Sequence, residues 1–185
     1  MLKLVSYVVF YLMAILFVLA KPLVVVLLTD KWLPAVPFMQ IVCITVSFYP
    51  IYLMNISALT SLGRSDLYLK ATLLSKMVSL GLIILAIPFG VYYMVSAGAL
   101  GAFISIFIVA QWNKKLINYT IKNQLLDILP SFLLAIFTSI IVSLITFLPL
   151  DNWAILLFGS GFAVLLYLFL SFVFKVDAAI YIFSN

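Results

Sequence analysis

Residues 4–28 read LVSYVVFYLMAILFVLAKPLVVVLL, a run in which Lys21 is the only charge and Pro22 the only helix breaker. A hydrocarbon core about 30 Å thick is crossed by about 20 apolar helical residues, since each advances about 1.5 Å and every backbone group finds its partner inside the segment. The run is therefore long enough to span a bilayer. It is too long for the apolar core of a cleavable signal, and no small-residue cleavage site followed by a polar domain comes after it.

The rest of the chain repeats that pattern. Stretches 36–59, 69–89, 91–112, 128–147 and 153–174 are each near spanning length and are separated by clusters of Pro, Gly, Asn or Asp. Of 185 residues, 68% are hydrophobic and 8% charged, which excludes a water-soluble domain, where about half the residues are apolar. The runs do not alternate polar with apolar, which excludes a membrane β-barrel. The expected fold is all-α: a polytopic bundle of about six transmembrane helices, forming one transmembrane domain over 1–185.

Cations set the orientation, because short cytoplasmic loops retain Lys and Arg. One side collects Lys3, Arg64, Lys70, Lys114, Lys115, Lys122 and Lys175, and the other has Lys31 beside Asp30. Both termini are therefore expected in the cytoplasm. Trp32, Trp112 and Trp153 fall at span ends, where an indole prefers the headgroup layer. Small residues recur at four-residue spacing, as Ala97, Gly101 and Ser105, as Ala135, Ser139 and Ser143, and as Gly159 with Ala163. These ridges permit close helix contact and are read as internal packing.

Composition also limits the chemistry. The chain has five Asp, no Glu and no His, and Cys43 lies alone in an apolar run. No acidic pair or His is at hand to hold a metal or act as a base, so a membrane enzyme is not expected, nor a metal or cofactor. The polar residues inside the spans are the informative ones. A cation at mid-membrane costs about 2.5 to 3.5 kcal/mol on insertion scales, so Lys21 either faces a polar cavity or snorkels to the outer headgroups, with Leu23 to Leu28 as an interfacial or re-entrant piece. Gln40, Tyr49, Tyr52 and Asn55, around Pro50, suit a polar cavity wall, or a packing kink with interhelical hydrogen bonds. Arg64 and Lys70 mark a cytoplasmic entrance that attracts phosphate or anchors to anionic lipid, and Lys76, deeper in the same span, is a further cavity candidate.

Several local strings carry a resemblance. AKPL at 20–23, LLTDKWLPAVPF at 27–38, LGRSDLYLK at 62–70, IPFGV at 87–91 and NKKLINY at 113–119 resemble the Wzx-type polysaccharide flippases of the multidrug, oligosaccharidyl-lipid and polysaccharide exporter superfamily. Such flippases have two helical lobes and about twelve to fourteen spans around a central cavity, built from internal repeats. The chain resembles the C-terminal portion, without the first lobe. The resemblance implies translocation of an oligosaccharide on undecaprenyl diphosphate across the bacterial cytoplasmic membrane, for O-antigen, lipopolysaccharide or capsule assembly. The partners it implies are the lipid-linked oligosaccharide, membrane lipids, and a missing N-terminal lobe or a second copy, with no nucleic acid. No Asp or Glu lies deep in a span, so an acidic ion-coupling residue is absent from this half. The alternative is a small accessory or structural membrane subunit of a glycan-assembly system, without transport activity of its own.

Overall fold

The computed structural model describes residues 2–117 and 119–174, for 114–117 the backbone alone. Among the described residues the chain is all-helical. The helices are α1 (Leu2–Val18), α2 (Ala20–Leu28), α3 (Val36–Ser47), α4 (Tyr49–Ser61), α5 (Ser65–Ala86), α6 (Val91–Ile117), α7 (Ile121–Ile145) and α8 (Asn152–Val173). Short 3-10 turns at Asp30–Ala35 and Ile87–Phe89 lead into α3 and out of α5. Five helical segments are long and apolar enough to cross a membrane: Asp30–Ser61, Ser65–Phe89, Val91–Asn113, Ile121–Ile145 and Asn152–Val173. The pair α1 and α2 passes the same test together but is bent by 69° at its break, the geometry of a broken span or of a re-entrant loop. The chain is a multi-pass membrane helix bundle.

Two compact units share these helices. One comprises Lys3–Ser47 with the chain from Ile128 onward, and the other is Phe48–Asp127. In the first unit, Leu19, Val142, Ile155 and Ala163 form the buried core. Gly159 lies against Leu19, whose side chain comes within 3.2 Å of where a Cβ would stand. The Gly159–Ala163 ridge thus gives α8 a flat face on which Leu19 rests. Tyr7, Tyr11 and Tyr167 add a polar seam. The Tyr167 hydroxyl donates to the Tyr7 carbonyl at 2.9 Å, and Tyr7 donates to Ser171 Oγ at 2.7 Å, which in turn donates to the Tyr167 carbonyl at 2.7 Å.

In the second unit, α5 and α6 pair most closely. A Cβ on Gly101 would stand 2.9 Å from Ser79 Cα, so only glycine permits this approach. Ser105 turns its hydroxyl back to the Gly101 carbonyl at 2.7 Å and leaves the contact free of polar protrusions. The ridge of Ala97, Gly101 and Ser105 thus packs internally. Leu59, Leu67, Ala71 and Val109 complete the core, with Tyr52, Tyr68 and Trp112 packed against it. Trp112, expected at the headgroup layer, is therefore partly a packing residue.

Two boundaries differ from the sequence expectation. The stretch 113–127, which falls between the expected spans 91–112 and 128–147, is mostly helix: α6 runs to Ile117 and α7 begins at Ile121. The polar residues there follow helical spacing, with Gln124 buried while Lys122 and Asn123 are exposed. Thr120 starts α7, its carbonyl accepting from the Gln124 N–H at 3.1 Å. The run 4–28 is not one straight helix, because α1 stops at Val18 and α2 departs at a steep angle.

Candidate functional site

The break in the first span follows from Pro22, which has no N–H to offer the Val18 carbonyl. Proline is tolerated in a first turn, so α2 restarts around it. Leu19, between the two helices, keeps continuity: its N–H donates to Ile15 and its carbonyl accepts from Leu23, both at 2.9 Å. Leu19, Ala20, Pro22 and Val24 are buried, whereas Lys21 is exposed and has no hydrogen-bond or ion-pair partner among the described residues. The buried side of the break is fixed and its other side presents one free ammonium.

Gln40, expected either on a cavity wall or in an interhelical hydrogen bond, makes such a bond at this break. Its Nε2 donates to the Phe17 carbonyl at 3.3 Å, supplying a partner at the end of α1. Asn55 is likewise spent inside the protein, and is only 3% exposed. It forms a reciprocal amide pair with Gln124: Asn55 Nδ2 donates to Gln124 Oε1 at 2.7 Å, and Gln124 Nε2 donates to Asn55 Oδ1 at 3.0 Å. Asn113 Nδ2 donates to the Asn55 carbonyl and side-chain oxygen at 2.7 and 2.8 Å. Asn55 Nδ2 also donates to the Ile51 carbonyl at 2.8 Å. Helices α4, α6 and the first turns of α7 are clasped by three buried amides, and Asn55 has no hydrogen-bonding capacity left for a ligand. The sequence left Asn55 open between a cavity wall and an interhelical hydrogen bond, and its bonds to Gln124 and Asn113 are of the second kind.

The remaining candidates are more open. Tyr49 is half exposed and stacks on Tyr52, ring centroids 5.7 Å apart, and the Tyr52 phenol lies among Thr72, Tyr49 and Tyr68. Pro50 is buried in the first turn of α4, where its missing N–H interrupts nothing. Arg64 forms a two-pronged pair with Asp66, Nε to Oδ1 at 3.1 Å and Nη2 to Oδ2 at 3.2 Å. Both groups are about half exposed, so the pair contributes little stability and leaves Arg64 accessible. Lys70 and Lys76 are exposed on α5. Tyr119 donates to Asp127, and burial together with that carboxylate pushes the phenol pKa upward, so it remains a donor across ordinary pH.

The candidates of the first unit are Lys21 and Gln40, at the helix break. Those of the second are Tyr49, Tyr52 and Asn55 on α4, and Arg64, Lys70 and Lys76 at and beyond the start of α5. An apolar cleft of about 540 Å³ in the first unit, walled by Pro130, Leu133, Phe137, Ile140, Leu170 and Phe174, includes none of them. Its wall offers hydrocarbon only, which suits a lipid chain and not a polar ligand. Lys175 and Asp177 lie outside the described residues. Comparison with family models, with curated proteins and with solved structures finds no match for the chain.

Proposed function

We propose that the chain is the C-terminal part of a flippase that moves an undecaprenyl-diphosphate-linked oligosaccharide across the bacterial cytoplasmic membrane, with both termini in the cytoplasm. The observation that carries this reading is the broken first span with its unpartnered cation, inside the string AKPL that resembles the flippase family. Discontinuous helices in transporters lie where a polar substrate passes, because a span can be interrupted only where protein or water satisfies the freed backbone. Lys21 supplies the charge that a diphosphate requires. Arg64 and Lys70 supply a cationic mouth on the cytoplasmic side, and the Tyr49–Tyr52 pair gives an aromatic face of the kind on which sugar rings rest. Transport by this route makes and breaks no covalent bond.

The test is substitution of Lys21 in a complete protein carrying this segment, in cells that depend on it for surface polysaccharide. A charged hydrogen bond is worth about 1.5 to 3 kcal/mol, so Lys21→Leu should reduce export about tenfold or more at unchanged protein abundance. Lys21→Arg should keep most of it. Normal export by both variants would assign Lys21 to snorkelling and remove the cavity.

A further inference from the structure

Hydroxyls inside the spans share a habit. Ser47, Ser105, Thr138 and Ser171 each donate to the carbonyl four residues earlier in their own helix, at 2.7 to 2.9 Å. That turn satisfies a hydroxyl where no bulk water reaches it. Thr72 and Ser75 on α5 depart from it. Their hydroxyl oxygens are buried and have no hydrogen-bond partner, although the carbonyls of Tyr68 and Ala71 stand four residues before them. Three residues separate the two, so they lie on one side of α5 on consecutive turns.

That side faces the interior of the Phe48–Asp127 unit. One turn before Ser75, Ala71 shares a core with Val109 of α6, and one turn after it Ser79 meets Gly101. These two contacts are eight residues apart on each helix and run in opposite directions, which sets Ser75 opposite Ser105. Ser75 is 2% exposed and Ser105 8%. The Ser105 O–H is spent on the Gly101 carbonyl, so its oxygen is left only to accept. On the side of α4, Thr72 lies beside the Tyr52 phenol. Hydroxyls from three helices thus meet along one turn of α5.

The group that satisfies them has to be small and able both to donate and to accept. The helix contacts on either side of Ser75 close the seam to a side chain from elsewhere, and a lipid chain offers no hydrogen bond. No charge stands among these hydroxyls to neutralise an ion. We propose that the α4–α5–α6 core binds an ordered water at Thr72 and Ser75, which accepts from the Ser75 hydroxyl, donates to Ser105 Oγ and brings Thr72 into the same network. This water joins α5 to α6 where Gly101 lets them approach, and it belongs to the fold whether or not the chain transports a glycan.

The experiment uses the full chain in lipid nanodiscs, deuterated except at threonine methyls, and reads magnetisation transfer from water to each methyl. Thr138, just as inaccessible but bonded to the Leu134 carbonyl, is the control. The Thr72 methyl, assigned by its loss in Thr72→Val, should receive about threefold more transfer than Thr138. Ser75→Ala removes one of the partners of the water, and should cut the transfer to Thr72 about twofold and lower the melting temperature. Thr72→Val with Ser75→Ala should lower that temperature by less than the sum of the single shifts, since both lose the same water. Transfer at Thr72 no greater than at Thr138, or indifferent to Ser75→Ala, would overturn the site. So would a melting temperature unchanged or raised in Ser75→Ala, because removing a dry, unpaired hydroxyl relieves the protein of its desolvation cost.

Discussion

Gly101 and Gly161 both lie among apolar helix residues, yet their surroundings give them opposite consequences. A Cβ at 101 would meet Ser79 Oγ at 2.6 Å and Ser79 Cα at 2.9 Å, while one at 161 would meet nothing within 4 Å. Gly101→Ala should therefore force α5 and α6 apart and lower stability by about 1 to 3 kcal/mol. Gly161→Ala should be neutral or stabilising by up to about 1 kcal/mol through helix propensity. Thermal melting in detergent, scored side by side, separates them. Asn55 gives a second expectation at this scale. Asn55→Leu strands the buried Gln124 amide without its Asn55 side-chain partner, while Asn113 Nδ2 keeps the Asn55 carbonyl, and an unsatisfied buried group costs about 1 to 3 kcal/mol. The Asn55→Leu, Gln124→Leu double variant should therefore lose less than the sum of the two single changes, measurable as a coupling energy in an unfolding cycle.

The ends of the helices explain several of the strings that stood out in the sequence. The described residues with positive φ are Thr29, Gly63 and Gly90, and each falls in one of those strings. At Gly63 the geometry is a Schellman cap: its N–H donates to the Thr60 carbonyl at 3.0 Å, and the Arg64 N–H reaches back to Leu59 at 3.1 Å. Asp66 then opens α5, where a carboxylate favours the positive helix end. So LGRSD encodes a stop, a turn and a start. Gly63→Ala meets no steric obstacle, and its cost is the left-handed backbone alone, about 1 to 2 kcal/mol, to be read as a lowered melting point. Thr29, a β-branched residue at φ 77°, holds the same kind of strain without a glycine to relieve it. The start of α7 was harder to read, since Lys122, Asn123, Gln124 and Asp127 made a polar run in which helical spacing was easily missed.

For the molecule as a whole, the distribution of cations yields the sharpest expectation. Ser65 and Asn152 are both exposed, at the starts of α5 and α8, and an odd number of spans separates them. In a background without Cys43, a cysteine at Ser65 should react with an impermeant thiol reagent only from the cytoplasm, and one at Asn152 only from outside. Labelling of both positions from one side would overturn the six-span arrangement.

The long apolar helices were legible in the sequence, because bilayer thickness and the need to satisfy backbone groups in hydrocarbon act on each segment separately. Leu19 against Gly159, Ser79 against Gly101, and Asn55 with Asn113 and Gln124 were not legible as pairs, although the small-residue ridges announced one member of the first two. Lipid gives helices no hydrophobic reason to choose one neighbour over another. Partner choice rests on shape and on a few polar groups, whose matches lie 69 residues apart for Asn55 and Gln124 and 164 apart for Tyr7 and Ser171. The same amide reads identically whether it lines a cavity or joins two helices. Only the tertiary structure, by bringing its partner to 2.7 Å, decides that Asn55 is a clasp, while Lys21 has no partner brought to it among the described residues.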